Sequence, residues 1–196
     1  GATGRWTFAL TVTAGAITQA TPKAGSVAAS AESGFSAQLA TTGGSGTVTF
    51  TTATGTTADL TVSATGVVKT AKALSVGTYT VSGKDHDPLG DTGTWTFALT
   101  VTAGSILQAT PKAGSVAANA ESGFSAALKT TGGTGPVTFT ITTPPTGVTL
   151  TAGVITLATV KVGKYTLTGS DHDGLGDTGS WTFTLTVTAG AITQAT

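Results

Sequence analysis

Apolar and polar residues alternate along much of this chain with a period of two. Trp95, Phe97, Leu99 and Val101 fall on one face of an extended segment, and Thr94, Thr96, Ala98, Thr100 and Thr102 on the other. That pattern predicts a strand buried on one side only. The same alternation groups Phe35 with Leu39, Val48 with Phe50, Leu60 with Val62, and Tyr79 with Val81. Breaks such as TTGGSG, TTGGTG and TTPPTG separate these runs and predict turns. No stretch carries a clear helical period. ASAESGFSAQL comes nearest, and Gly34 interrupts it.

The pattern is written twice. QATPKAGSVAASAESGFSAQL returns as QATPKAGSVAANAESGFSAAL, and VGTYTVSGKDHD returns as VGKYTLTGSDHD. Trp6, Trp95 and Trp181 stand 89 and 86 residues apart. A period this long is too long for most solenoids and suits one small all-β sandwich per copy, with about seven strands. The expected organisation is a first repeat over residues 14–102 and a second over 103–188. Residues 1–13 read as a surplus copy of the final strand from a preceding repeat, and 189–196 as the start of a following one. The backbones of 15–52 and 76–101 should match those of 104–141 and 162–187, with differences gathered at 53–75. Trp6, Phe8, Leu10 and Val12 give the surplus strand an apolar face with no sandwich of its own to cover. It could be a relic of a cut between repeats, displace 94–102, or complete a neighbouring molecule, so self-association through residues 5–13 is expected as one outcome.

Composition narrows the function classes. Nearly one residue in four is Thr, a residue that favours pleated strands. Lys plus Arg and Asp plus Glu both number 9, so the formal net charge is zero and no basic patch offers a footprint for nucleic acid. Cysteine is absent, which excludes disulfides and thiolate metal sites. No apolar run has membrane length, so no membrane insertion is expected. No signal peptide is visible, and the chain reads as a piece of something larger. No G-x-S-x-G elbow is present, and the Gly pairs 43–44 and 132–133 lack a Walker lysine. A non-catalytic chain is expected.

Six of the nine acidic residues sit in two short loops, Asp85, Asp87 and Asp91, and Asp171, Asp173 and Asp177. Clustered carboxylates are hard oxygen ligands of the kind calcium takes. They are also turn formers, whose side chains accept hydrogen bonds from nearby backbone N–H groups. The spacing D-x-D-x-x-x-D is not that of an EF-hand, and both readings stand. In the N-terminal copy Ala2 replaces the last aspartate, so no third site is expected. His86 and His172 sit between aspartates, and alternation points them away to solvent. Glu32, Glu121, Lys23 and Lys112 read as solvated edge residues. Tyr79 and Tyr165 read as core residues with a hydroxyl at the rim.

The segment GPVTFTITTPPTGVTLTAGVITLATVKVGKYTLTGSDHDGLGDTGSWTFTLTV resembles the Ig-like and cadherin-like repeats of large secreted or cell-surface proteins of bacteria. The likeness rests on Pro145, Gly147, Val148 and Leu150, then Gly163, Tyr165, Leu167, Gly169 and Asp171, then Trp181 to Val187. The first repeat departs from it at TGTTADLTV, which lacks the prolines. The resemblance implies tandem Ig-like β-sandwich repeats, an extracellular or cell-surface place in bacteria, neighbouring Ig-like repeats as partners, and a stalk or adhesive role. In an Ig-like sandwich the acidic loops would lie at the end where the first strand begins, facing residues 13–15 and 102–104. Three functions compete: a structural spacer, a self-assembling filament subunit using strand exchange, and an adhesin that binds protein or carbohydrate. An adhesin would need an exposed aromatic platform, yet the tryptophans fall in core positions.

Overall fold

The computed structural model describes residues 1–55 and 58–191, apart from the side chains of 53–55. Part of the divergent stretch, residues 56–57, and most of the expected start of a following repeat, 192–196, lie outside the described residues. Two compact units are present, one holding most of the first sandwich and the other all of the second. Among the described residues no helix is long and apolar enough to cross a membrane.

In the first repeat the strands are β1 (Ala16–Gln19), β2 (Ala24–Ala28), β3 (Ser36–Gln38), β4 (Thr41–Thr42), β5 (Thr49–Gly55), β6 (Leu60–Val62), β7 (Val67–Thr70), β8 (Gly77–His86) and β9 (Thr92–Thr102). They form a larger sheet in the order β4-β1-β9-β8-β5, with β2 also on β9, and a smaller sheet β3-β7-β6. The second repeat runs through β10 (Ser105–Gln108), β11 (Ala113–Ala117), β12 (Ser125–Ala127), β13 (Thr130–Thr131), β14 (Val137–Thr142), β15 (Val148–Thr151), β16 (Val154–Leu157), β17 (Gly163–Asp173) and β18 (Thr178–Thr188). Its sheets are β13-β10-β18-β17-β14, with β11 on β18, and β12-β16-β15. The nine pieces are seven strands with two of them broken. The first is split into β1 and β2 (β10 and β11), and the second into β3 and β4 (β12 and β13), whose halves belong to different sheets.

The copies share strand order and equivalent registers. Ile17 pairs with Gly93 as Ile106 pairs with Gly179, and Ala37 with Val68 as Ala126 with Ile155. A register shift between Thr52 and Thr54 marks the divergent stretch of the first repeat. One local expectation is corrected. ASAESG folds as a 3-10 helix at Ala29–Gly34, echoed by Glu121–Gly123, because the Phe35 and Phe124 amides turn back to the Glu32 and Glu121 carbonyls.

Each core fills the space between two sheets. In the second repeat Leu167, Trp181, Phe183, Leu185 and Val187 meet Ala126, Leu128, Val148, Ile155, Leu157 and Val160. Strands β9 and β18 carry the largest buried side chains, Trp95, Phe97, Trp181 and Phe183. Each indole lies across a glycine on the neighbouring strand, since Gly169 pairs with Trp181. A Cβ on Gly169 would overlap the Thr140 carbonyl oxygen and stand 2.6 Å from the indole. Gly83 is confined in the same way by Thr51 and Trp95. The indole N–H groups donate to the carbonyls of Lys84 (3.1 Å) and Thr140 (3.0 Å), so no indole donor is buried unpaired.

Residues 1–13 join no sheet, and Trp6, Phe8, Leu10 and Val12 are 74–85% exposed. Strand β9 keeps its own place in the first sandwich, so displacement of 94–102 by the surplus copy does not occur in this structure.

Close packing of indole on glycine predicts a large effect from one methyl group. Gly169→Ala should lower stability by about 3 kcal/mol. Gly123→Ala, where nothing lies within 4 Å of the added carbon, should stay within about 0.5 kcal/mol of the parent. Urea denaturation followed by tryptophan fluorescence distinguishes the two.

Candidate functional site

The acidic loops close the sandwich at the end where the first strand begins. Strand β1 runs parallel to β9, and β10 to β18, so the start of each repeat lies beside the start of its own final strand. The loop before that final strand is therefore brought against the first residues of the repeat. It turns through Gly90 (φ 94°) and Gly176 (φ 99°), a conformation that favours glycine. The amides of Asp87 and Asp173 donate to the carbonyls of Asp91 and Asp177 at 3.1 Å, which closes each loop.

The three aspartates of each loop do three different things. Asp173 builds the turn. Its Oδ1 accepts from the amides of Leu175, Gly176 and Asp177, each at 3.0 Å, and its Oδ2 from Thr134 at 2.6 Å. Asp87 does the same with Leu89, Asp91 and Ser45. The Ser45 amide leads in holding the Asp87 carboxyl below its usual pKa. For Asp173 burial pushes the pKa up, but the combined amide donors outweigh it and the net direction is down.

Asp91 and Asp177 form a clasp. Asp177 Oδ1 accepts from the Gly104 amide at 2.6 Å, while the Gly104 carbonyl accepts from the Thr178 amide at 3.2 Å. In the first repeat Asp91 Oδ1 accepts from Gly15 in the same way. The expected meeting of the acidic loops with residues 13–15 and 102–104 is thus made by one side chain per loop.

Asp85 and Asp171 stand apart. Each is 1% exposed, and neither has a hydrogen-bond partner on either oxygen among the described residues. Each lies against a glycine, Gly93 or Gly179, where an added Cβ would overlap both the carboxylate and the carbonyl oxygen of Ile17 or Ile106. Burial drives the pKa of both groups up; the pull of its own backbone amide and then the charge of His86 act in the opposite sense on Asp85, and the charge of His172 on Asp171. Both histidines are exposed, as alternation requires.

Among the described residues no three acidic, His or Cys side chains are placed together to hold a metal ion. Calcium fits these loops in part. Asp85, Asp171 and the second oxygen of Asp177 are buried acceptors lacking donors, whereas Asp87 and Asp173 have their oxygens engaged.

Two further groups carry weight that the sequence reading missed. Glu32 and Glu121 are not edge residues but are buried, at 2% and 7% exposure. Glu121 Oε1 accepts the Val160 amide at 2.9 Å, so it ties the short helix to the segment before β17. Gln19 and Gln108 bridge the break in the first strand. Gln108 accepts the Thr182 amide and donates to the Thr182 carbonyl, both at 2.9 Å, as Gln19 does with Thr96. Their place in the twice-written QATPKAG was the available signal. Tyr165 donates its hydroxyl to the Lys161 carbonyl at 2.8 Å, the rim contact its spacing suggested.

Fold and loops together define an all-β protein of tandem Ig-like sandwiches. No protein-family profile matches the chain, and no curated protein matches it. Among solved structures it is similar to Drosophila N-cadherin EC1-4, at 14% identity and a TM-score of 0.40, over 87% of this chain and 49% of that one. Extracellular cadherin domains 3-6 of protocadherin gamma B2 match at 15% identity and 0.42, over 90% and 52%. Human protocadherin-24 EC1-2 matches at 16% and 0.40, over 88% and 98%. The chain spans about half the length of the first two. Likeness at this identity concerns the fold alone.

The division of labour gives opposite expectations for two neighbouring aspartates. In buffer containing a chelator, Asp173→Ala should destabilise the second repeat by about 2–3 kcal/mol, because four backbone donors lose their acceptor. Asp171→Asn should raise the melting temperature at neutral pH. A carboxyl whose pKa is raised on folding favours the folded state below its ordinary pKa. That contribution is lost as pH climbs through the raised value. The gain from Asn should therefore vanish in acid. Thermal melts between pH 3 and 7 measure both.

Proposed function

We propose that this chain is a non-catalytic structural segment, a spacer or stalk, of an extracellular bacterial surface protein. Its repeats span 14–102 and 103–188, and calcium at the loops bearing Asp85, Asp87 and Asp91, and Asp171, Asp173 and Asp177, rigidifies it. Residues 1–13 would be the final strand of a further repeat of the same kind, and 189–196 the opening of another. The observation that carries this reading is the repetition of one clasp, Asp91 on Gly15 and Asp177 on Gly104. Two copies of one sandwich with one closing device suit a part whose job is length and stiffness. Bound calcium would stabilise the native form by linkage. Calcium chloride should thus raise the melting temperature, and a chelator should reverse the gain. Melts that ignore calcium would remove the metal from this reading.

A second reading, assembly by strand exchange, is supported by the exposed face of Trp6, Phe8, Leu10 and Val12. Segment 5–13 nearly duplicates 94–102 and 180–188, so a copy could occupy the corresponding slot of a neighbouring molecule. Deleting residues 1–13 should then abolish a concentration-dependent rise in sedimentation coefficient. An unchanged sedimentation profile sinks the exchange reading.

A further inference from the structure

The second loop buries three carboxylate oxygens that have no partner among the described residues: both of Asp171 and Oδ2 of Asp177. Asp177 is fully buried, and Asp171 is 1% exposed. A carboxylate withdrawn from water without donors is strongly disfavoured unless something positive or protic meets it.

Both side chains lie against the opening of the repeat, Asp177 at Gly104 just before β10 and Asp171 near Ile106 within it. Asp177 holds the Gly104 amide through its other oxygen, and Asp171 lies over Gly179 beside the Ile106 carbonyl oxygen. Carboxylate and carbonyl are both acceptors, and hard divalent cations take such mixed oxygen sets. Asp173 is excluded, because four amides hold its two oxygens.

The first loop differs at its last aspartate, where Asp91 is half-buried and Asp177 fully buried. Asp91 Oδ2, the counterpart of the unpartnered oxygen on Asp177, accepts a hydrogen bond from Ser45 Oγ at 3.3 Å. The residue matching Ser45 is Thr134, and its amide reaches Asp173 as the Ser45 amide reaches Asp87. No hydrogen bond from Thr134 reaches Asp177 Oδ2.

We propose that Asp171 and Asp177 hold one divalent cation in the second repeat, with Asp173 serving only to shape the loop. The first repeat binds the same cation more weakly, because the Ser45 hydroxyl occupies the matching oxygen of Asp91. This inference rests on the calcium reading above and adds to it a ligand set, an order of affinity and the residue that sets that order.

Calorimetric titration of the full chain with calcium chloride tests it, alongside Asp171→Asn, Ser45→Ala and Thr134→Ser. The parent should show two sites of unequal affinity. Asp171→Asn should weaken the tighter one at least tenfold while leaving the weaker one in place. Ser45→Ala should tighten only the weaker site, several-fold, and Thr134→Ser should weaken only the tighter. Ser45 and Thr134 are outside the core, so these two variants test the order of affinity independently of Asp171→Asn. Two equal sites indifferent to position 45, or a tight site that survives Asp171→Asn, would overturn the inference and leave calcium binding itself standing. Absence of any calcium heat in the parent would overturn both.

Discussion

Each sandwich is organised around an indole lying flat on a backbone. Trp95 and Trp181 can be buried at the centre of the larger sheet only because Gly83 and Gly169 leave no side chain beneath them. A ring of this size removes much apolar area from water, which matters in a small domain with no disulfide to help it. The ring also fixes register. A slip of one residue would put Thr182 on the glycine and carry Trp181, Phe183, Leu185 and Val187 to the solvent face. Edge-on packing of Phe50 against Trp95, and of Phe124 against Phe183, extends the same cluster towards the smaller sheet.

The final strand is thus the most constrained part of the repeat, and the loop before it inherits that constraint. Because the first strand pairs in parallel with the final one, its beginning lies beside the loop. The aspartates use that proximity. One side chain gathers the loop's own amides, the next but three takes hold of the first residues of the repeat, and the earliest lies buried beneath. A chain with so few charges therefore concentrates them where a backbone turn must be closed and the chain's path into the sandwich fixed.

Elsewhere side chains replace backbone pairing where the path breaks. The first strand cannot continue through Pro22 or Pro111, which lack an amide to donate. Gln19 and Gln108 reach across with both amide atoms and serve Thr96 and Thr182 as a strand residue would. At the opposite end the buried Glu121 carboxylate does comparable work for Val160.

Strict alternation in WTFALTV and WTFTLTV, and near-identity of the copies, determined which face of each strand is buried and that the unit is repeated. Side-chain period along a strand is a local property, so it can be read without the fold. The same spacing put Tyr165 at the rim and pointed His86 and His172 outwards. What local pattern could not decide was the work of each aspartate. Asp171 and Asp173 share a face two residues apart, yet one has no donor and the other has four, because Thr134 arrives from a distant segment. Glu32 and Glu121 sit in a short, polar AESG that reads as surface, and only the packing of that turn under the sheets buries them. Hydrogen-bond partners and burial depend on which segments the topology brings together, and that information belongs to the tertiary structure.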